Sequence, residues 1–123
     1  MTVAKTVLTV DDSRTMRDML RLALSQAGYR VVQAVDGVHG LEVLQGEAPD
    51  VIVTDINMPR MDGFGFIEGV RRSGLHRATP ILVLTTESDA EKKSRARQAG
   101  ATGWIVKPFN AAKLVDALRR VAA

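Results

Sequence analysis

Five short runs rich in β-branched residues recur along the chain, and segments of helical character separate them. The runs are KTVLTV (5–10), RVVQA (30–34), DVIVT (50–54), PILVLT (80–85) and GWIVK (103–107). Strands that alternate with helices in this way predict an α/β fold, a doubly wound five-stranded parallel sheet with five helices on its two faces. All strands of such a sheet present their carboxyl ends at one edge, where ligands bind.

Apolar periodicity and end signals mark three of the helices. Residues 13–27 carry one apolar stripe, and Gly28 follows as a stop signal. The stripe consists of Met16, Met19, Leu20, Ala23, Leu24 and Ala27. The sequence SDAE (88–91) is typical of a capping box at the start of the fourth helix. Asn110 is a candidate cap for the last helix, whose apolar positions are Leu114, Val115, Leu118 and Val121.

Length and composition restrict the class of protein. With 123 residues the chain fits one domain over residues 1–123, and no output domain is expected. It has no cysteine, and its net charge of +3 (17 Lys and Arg minus 14 Asp and Glu) gives no indication of nucleic-acid binding. No signal peptide or membrane span is indicated, so we expect a cytoplasmic monomer.

Chemically active side chains lie at the carboxyl ends of four of the five predicted strands. They are Asp11 and Asp12 at the first, Asp55 at the third, Thr85 and Thr86 at the fourth, and Lys107, followed by Pro108, at the fifth. Each of these residues has an ordinary use on its own, such as capping a helix. Their convergence on one edge of the sheet is what predicts a site.

Charge balance indicates what this site holds. Two carboxylates about 4 Å apart repel each other by roughly 4 kcal/mol at an effective dielectric constant near 20, so three of them require a cation. An all-oxygen set suits Mg²⁺, and with Lys107 the formal charge becomes −3 + 2 + 1 = 0. The sequence has no GxxxxGK[ST] loop to cradle a nucleotide phosphate. A phosphoryl group on Asp55, which adds about one negative charge, could be met by Thr85 and Lys107.

Four motifs, in order and each behind its own strand, resemble those of response-regulator receiver domains. They are DDS (11–13), DINMPRMDG (55–63), TT (85–86) and KPF (107–109). The resemblance extends from Lys5 to Val121 and is greatest to stand-alone chemotaxis regulators of the CheY type. It implies a flavodoxin-like receiver fold with strand order 2-1-3-4-5.

The resemblance also implies a role for each residue of the site. Asp55 would accept a phosphoryl group from a phosphohistidine of a sensor histidine kinase of the CheA type. Mg²⁺ would be bound by Asp12, Asp55 and the carbonyl group of Asn57, with Asp11 acting through water. Thr85 and Lys107 would contact the phosphoryl oxygens.

Further positions are assigned by the same resemblance. The Lys107–Pro108 peptide bond is expected to be cis. Thr85 and Trp104 would form the switch, although this aromatic position is more commonly Tyr or Phe. Asn57 and Glu87, each two residues beyond a site residue, would tune hydrolysis of the phosphoryl group.

The fourth helix, within SDAEKKSRARQA (88–99), has no large aliphatic residue and should be the least stably held. We expect its face, together with strand 5 and helix 5, to shift on phosphorylation. The basic residues there would suit an acidic or amphipathic partner: Lys92, Lys93, Arg95, Arg97, Lys113, Arg119 and Arg120. That partner could be a flagellar motor switch protein, or the chain could be a phosphate sink that drains a shared kinase.

Other classes fit the sequence less well. Mg²⁺-dependent phosphatases of the haloacid-dehalogenase type use a DxD pair, whereas Asn57 takes the second position here. We therefore expect no turnover enzyme, only self-phosphorylation and slow dephosphorylation. An electron carrier of the flavodoxin type is disfavoured by the acidic first loop. His39 and His76 lack a second ligand at metal-binding spacing and are predicted to lie at the surface.

Overall fold

The computed structural model describes residues 4–122, so residues 1–3 and Ala123 of the predicted domain lie outside the described residues. Ten elements alternate as predicted, and every strand boundary lies within one residue of the sequence-based range. The strands are β1 (Thr6–Val10), β2 (Arg30–Ala34), β3 (Val51–Thr54), β4 (Ile81–Thr85) and β5 (Gly103–Val106). The helices are α1 (Arg14–Gln26), α2 (Gly37–Val43), α3 (Gly63–Arg72), α4 (Ala90–Ala99) and α5 (Ala111–Val121).

The strands form one parallel sheet in the order β2-β1-β3-β4-β5, which confirms the predicted fold. In β1 the side chains alternate between two apolar clusters: Leu8 and Val10 belong to one, and Val7 to the other. The first cluster includes residues of α2, α3 and α4, and the second includes residues of α1 and α5. Because helices cover both faces, the central strands β3 and β4 are buried along their whole length.

Two helix predictions were wrong in detail. The cap of α4 is Asp89, whose side chain accepts a hydrogen bond from the N–H of Glu91, and not Ser88 of the expected capping box. In α1, Leu20 and Leu24 are fully buried, whereas Met19 is half exposed, because the helix contacts the sheet along a narrower stripe than the sequence suggests. The predicted cap Asn110 is confirmed, since its side chain accepts from the N–H of Lys113.

The prediction that both histidines lie at the surface was wrong for His76. This residue is only 8 % exposed, and its Nε2 atom lies 3.3 Å from the carbonyl oxygen of Leu44. The α3–β4 loop, which begins after Arg72, turns back onto the end of α2 and buries the ring. His39 is half buried on α2, where its Nδ1 atom accepts a hydrogen bond from the N–H of Val35.

Helix α4 is the least embedded of the five helices over residues 4–122. Ala96 is its one buried residue, and Arg95 lies over the ring of Phe64 in α3 at 4.0 Å from the ring centroid. By contrast, α3 buries five residues. The low burial of α4 confirms that it has little apolar area with which to hold its position. No helix in the described part of the chain is both long enough and apolar enough to span a membrane.

Arg71, near the end of α3, joins three segments through backbone carbonyl groups. Its Nη1 atom donates to the carbonyl oxygens of His76, Arg77 and Thr79 at 2.8, 3.2 and 2.7 Å. Its Nε and Nη2 atoms donate to the carbonyl oxygen of Gly100, directly after α4, at 3.1 and 2.8 Å. Burial lowers the pKa of Arg71. The end of α4 is thus tied to α3 and to the α3–β4 loop.

Thr9 in β1 is expected to be a site of stabilising substitution. Its buried hydroxyl has no hydrogen-bond partner among residues 4–122, so it loses hydration without compensation. We expect Thr9→Val to raise the free energy of unfolding by about 1 kcal/mol in urea titrations. The matched control is Thr54→Val, which removes a hydroxyl that donates to the carbonyl of Asp55 at 2.9 Å and should lower stability. Loss of stability in both variants would contradict the prediction.

Candidate functional site

The backbone hydrogen bonds of the parallel sheet extend by one residue past the ends of β1 and β3, to the predicted site residues Asp11 and Asp55. The N–H of Asp11 donates to Ala34 at 3.1 Å, and the N–H of Asp55 donates to Val10 at 2.9 Å. The strand ladder therefore continues past β1 and β3 before the chain turns away. This continuation fixes where the two carboxylates leave the edge of the sheet, beside each other on neighbouring strands.

Four side chains meet there and form the acid–lysine cluster, which consists of Asp11, Asp12, Asp55 and Lys107. Carboxylate oxygens of the three aspartates all lie within 4.8 Å of one another. The Nζ atom of Lys107 donates to Asp11 Oδ2 at 3.0 Å and to Asp55 Oδ2 at 2.8 Å. Lys107 reaches them from the far edge strand, and its peptide bond to Pro108 is cis as predicted. The convergence of these four side chains at one edge is confirmed.

The cluster is unevenly buried. The side chains of Asp11, Asp55 and Lys107 are 3, 12 and 10 % exposed, whereas Asp12 is exposed. Asp11 Oδ1 accepts from the N–H of Ser13, and Asp55 Oδ1 accepts from the N–H of Ile56 at 2.6 Å. Both buried carboxylates are thus fixed in orientation, while Asp12 faces the solvent.

Burial and neighbouring charges shift the pKa values of the cluster residues in opposite directions. Burial raises the pKa of Asp11, an effect that the N–H of Ser13 and the ammonium group of Lys107 reduce without cancelling. Burial also lowers the pKa of Lys107, but hydrogen bonds and attraction from Asp55 and Asp11 outweigh it, so the pKa is raised overall. Lys107 therefore stays cationic, yet one ammonium does not fully compensate the buried carboxylates.

The donor set fits the predicted Mg²⁺. Three carboxylates and one ammonium carry a formal charge of −3 + 1 = −2, which a divalent cation neutralises. Hard oxygen ligands, one of them solvent-facing, match an ion that retains several waters. The residues that would hold it are Asp11, Asp12 and Asp55, whereas the roles of the Asn57 carbonyl and of a water beside Asp11 stay predictions.

A second group, the loop network, consists of Asn57, Glu87, Lys92 and Trp104. Glu87 Oε1 accepts from the amide of Asn57 at 3.1 Å and pairs with the Nζ atom of Lys92 at 3.0 Å. The indole N–H of Trp104 donates to the carbonyl oxygen of Glu87 at 3.0 Å. The hydrogen bond from Asn57 and the charge of Lys92 lower the pKa of Glu87, so it is ionised. The network connects the loop after Asp55 with α4 and β5.

Thr85 is not part of the acid–lysine cluster. Its side chain is fully buried, and its hydroxyl accepts a hydrogen bond from the N–H of Glu87 at 3.4 Å. The side chains of Thr85 and Val83 point to the same side of β4, because the two residues are two positions apart in a strand. Val83 is paired with Trp104 on β5, so Thr85 and Trp104 share the α4 face of the sheet. Its predicted contact with a phosphoryl group stays a prediction.

Two side-chain pairs were missed by the sequence analysis. Lys92, which the sequence places on a basic face, pairs with Glu87. Arg60, in the loop after β3, forms a two-point ion pair with Asp36 at the start of α2. The Arg60–Asp36 pair joins two loops that are far apart in sequence, and the Lys92–Glu87 pair depends on where α4 begins, so no local pattern identifies either of them.

The arrangement exposes one reactive group. Asp55 is a carboxylate whose two oxygens are oriented by a backbone N–H and by an ammonium group, beside further anionic oxygens suited to a cation. Such a carboxylate can attack an electrophilic phosphorus atom, and Lys107 is positioned to offset the added charge. A side chain suited to act as a strong general base is absent from the cluster as described.

Asp12→Ala is expected to weaken Mg²⁺ binding by roughly tenfold or more, because metal sites lose that much when an orienting or ligating carboxylate is removed. The measurement is a Mg²⁺ titration with Trp104 fluorescence as the probe, since its indole contacts Glu87, which in turn contacts Asn57. Asp18→Ala, an exposed change on α1, serves as the control. Equal affinities in the two variants would place the metal elsewhere.

Comparisons with known proteins agree with this geometry. The family model of the response regulator receiver domain matches residues 7–119. The structure resembles that of the chemotaxis response regulator CheY4 of Vibrio cholerae, with 47 % identity, a TM-score of 0.91 and coverage of 97 % of this chain and 99 % of that one. It also resembles the receiver domain of a sensor histidine kinase of Pseudomonas aeruginosa PAO1 described with a magnesium ion in its active-site cleft (27 % identity, TM-score 0.90, 98 % of each chain).

Curated relatives include both short and long proteins. A probable chemotaxis protein CheY of Rhizobium etli is 35 % identical over 94 % of this chain and 90 % of its own length. A probable transcriptional regulator ycf27 of Guillardia theta is 37 % identical over 94 % of this chain, which spans only 44 % of that relative. With a family model that covers nearly the whole chain, this protein belongs to the response regulator receiver domain family.

Proposed function

We propose that this chain is a phosphorylation-dependent signalling switch in which Asp55 accepts a phosphoryl group from a phosphohistidine of a sensor histidine kinase. The observation that carries the proposal is the position of the Lys107 ammonium group. It bonds to Asp55 and to Asp11 at once, where three carboxylates converge. A structural ion pair is neutral with one carboxylate for each lysine, whereas three carboxylates around one lysine leave an excess negative charge that suits a cation.

In this reaction an Asp55 carboxylate oxygen forms a bond to phosphorus while the phosphorus–nitrogen bond of phosphohistidine breaks. The imidazole leaves with the bonding electron pair and takes up a proton. Bound Mg²⁺ would supply positive charge for the phosphoryl oxygens. Lys107 orients Asp55 and then offsets the added negative charge of the acyl phosphate, which is about one unit. Without a strong base beside Asp55, the acyl phosphate should persist and carry a signal.

The signal would leave the site through the α4–β5 side. Thr85 and Trp104 lie on one face of the sheet beneath α4, and Glu87 bonds with Trp104 through its carbonyl oxygen and with Lys92 through its carboxylate. Movement of the Thr85 hydroxyl toward a phosphoryl group would break its bond with the N–H of Glu87. Helix α4, which buries little, is the element that should respond.

A chemotaxis role in the cytoplasm, with a flagellar motor switch protein as partner, is supported by the two CheY relatives, each matched over at least 90 % of its length. A phosphate sink that drains a shared kinase is the second candidate, because it needs the same site and no downstream partner. A pull-down with phosphorylated and unphosphorylated protein separates them. Retention of a motor protein by the phosphorylated form alone supports the first, and retention of the kinase alone supports the second.

The proposed reaction is tested with radiolabelled acetyl phosphate. We expect Mg²⁺-dependent labelling of one site per chain and no sustained hydrolysis of a small phosphomonoester such as para-nitrophenyl phosphate. Continuous turnover of the phosphomonoester would instead support a phosphatase with an aspartate nucleophile. Absence of labelling in the presence of Mg²⁺ would refute the proposal.

Glu87→Lys is expected to slow loss of the phosphoryl group several-fold without preventing phosphorylation. Glu87 is anchored beside Asn57, next to the path of an attacking water, and a cationic side chain there could bind the phosphoryl oxygens and shield them. Decay is measured in excess Mg²⁺ after the donor is removed. Glu68→Lys makes the same change of charge at an exposed position on α3 and should leave the lifetime unchanged. An equal or faster decay for Glu87→Lys would show that Glu87 does not guard the site.

A further inference from the structure

The loop that follows Asp55 contains a strained residue. Among the described residues, Arg60 is the only one other than glycine with a positive φ, at 61°. This left-handed conformation is uncommon for residues other than Gly, Asn and Asp, since the side chain crowds the following carbonyl group. Something in the fold must therefore favour the arginine side chain over a glycine at this position.

The compensating interaction is a two-point ion pair with Asp36. Arg60 Nε donates to Asp36 Oδ2 at 2.7 Å, and Arg60 Nη2 donates to Asp36 Oδ1 at 3.0 Å. The Asp36 side chain is 3 % exposed and also caps α2 by accepting from the N–H of His39. The hydrogen bonds from Arg60 and His39 lower the pKa of Asp36, so the carboxylate is ionised. Planar, paired hydrogen bonds of this kind restrict orientation as well as distance.

This ion pair connects loops on either side of the acidic strand end. Asp36 follows β2 and Arg60 follows β3, and β1, which delivers Asp11 and Asp12, lies between these strands. A backbone contact reinforces the pair, because the N–H of Gly37 donates to the carbonyl of Met61 at 3.2 Å. A Cβ atom on Gly37 would lie 2.8 Å from that carbonyl oxygen, so the close approach requires glycine.

The loop is therefore held on both sides by side chains. The Asn57–Glu87 hydrogen bond holds it toward β4, and the Arg60–Asp36 ion pair holds it toward β2. We propose that Arg60 is a positioning residue: its ion pair with Asp36 fixes the β3–α3 loop so that the oxygens of Asp55 and Asn57 are arranged before a divalent cation binds. This inference rests on the proposed function, because it assumes that the acid–lysine cluster binds the cation.

The physical basis is preorganisation. A loop that is already ordered loses less conformational entropy when its oxygens are engaged, so the cation binds more tightly. Loss of the ion pair should therefore weaken cation binding by roughly tenfold, the lower end of the effect seen when groups that orient metal ligands are removed. Arg60 and Asp36 act as a unit, so removal of both should weaken binding no more than removal of either.

The experiment measures binding of Mn²⁺ alone, from the electron paramagnetic resonance signal of the free ion, to Arg60→Asn, Asp36→Asn and the double variant. Asn accepts the positive φ at position 60, and it can still cap α2 at position 36. The control is Arg30→Gln, which breaks the two-point ion pair of Arg30 with Glu47, at the opposite end of β2. Urea unfolding of each variant and amide hydrogen exchange of residues 56–62 without metal accompany the titrations.

We expect similar, roughly tenfold weaker binding in both single variants and in the double variant, faster exchange of residues 56–62, and wild-type affinity in Arg30→Gln. A merely structural role would lower unfolding stability and leave Mn²⁺ affinity within twofold of wild type, which would overturn the inference. Additive losses of affinity would also overturn it. If Asp12→Ala binds Mn²⁺ as tightly as wild type, the metal site itself is wrong, which is a different failure from that of Arg60.

Discussion

Asp55→Asn is expected to abolish phosphorylation by both a histidine kinase and acetyl phosphate. The substitution preserves the size of the side chain and its hydrogen bond from the N–H of Ile56, but a neutral amide is not a nucleophile for phosphorus. It also removes the negative charge that pairs with Lys107. Labelling is measured with a radiolabelled donor in excess Mg²⁺, and the expected signal is indistinguishable from that of a blank.

The matched control for this prediction is Asp62→Asn in the same loop. Asp62 caps α3 by accepting from the N–H of Gly65, and Asn serves equally well as a cap. This variant should label as wild type does. Undiminished, Mg²⁺-dependent labelling of Asp55→Asn would move the acceptor to another residue, and loss of labelling in both variants would indicate damage to the loop.

Arg71→Met should produce the largest loss of stability among the substitutions considered. The change removes the donors to four carbonyl oxygens, those of His76, Arg77, Thr79 and Gly100. Hydrogen bonds to charged groups contribute about 1.5–3 kcal/mol each, and water can replace some of them, so we expect a net loss of about 3 kcal/mol. The measurement is the urea unfolding midpoint.

Arg72→Met tests whether the loss of stability is specific to Arg71. Arg72 is exposed at the end of the same helix, so its substitution should change stability by less than about 0.5 kcal/mol. Similar losses in the two variants would show that the hydrogen bonds of Arg71 add nothing specific. A loss confined to Arg71→Met would establish it as the residue that fixes the α3–β4 loop and the end of α4.

The strands and the residues at their ends could be predicted because both are local properties of the sequence. The run VIVT (51–54) is entirely buried, and continuous apolar runs of this length are typical of central parallel strands. Parallel direction then brings Asp11, Asp55 and Lys107 to the same edge whatever their distance in sequence. The strand order required the family resemblance, since the alternation of elements does not specify which strands are neighbours.

The remaining details depend on contacts between distant segments. Ser88 and Asp89 are both good cap residues, and only the extended backbone of Asp89 (φ −66°, ψ 127°) decides between them. His76 is buried because a loop returns to α2, 32 residues earlier in the chain. The Arg60–Asp36 pair spans 24 residues and joins two loops. Side chains at such positions have several partners within reach, and periodicity gives no basis for choosing among them.

The two ends of α4 are held with different strength, so a tilt of this helix would displace mainly its N-terminal end. Its last turn is fixed at Gly100 by the guanidinium group of Arg71, whereas its first turn is held by the partly exposed ion pair of Lys92 with Glu87. Ten residues of helix are roughly 15 Å long, so a tilt of about 10° about Gly100 would displace the N-terminal end of α4 by roughly 2–3 Å. The N-terminal end of α4 lies beside Glu87 and Trp104, so under the proposed function a small change at Asp55 would be transmitted to the end of the helix that moves most.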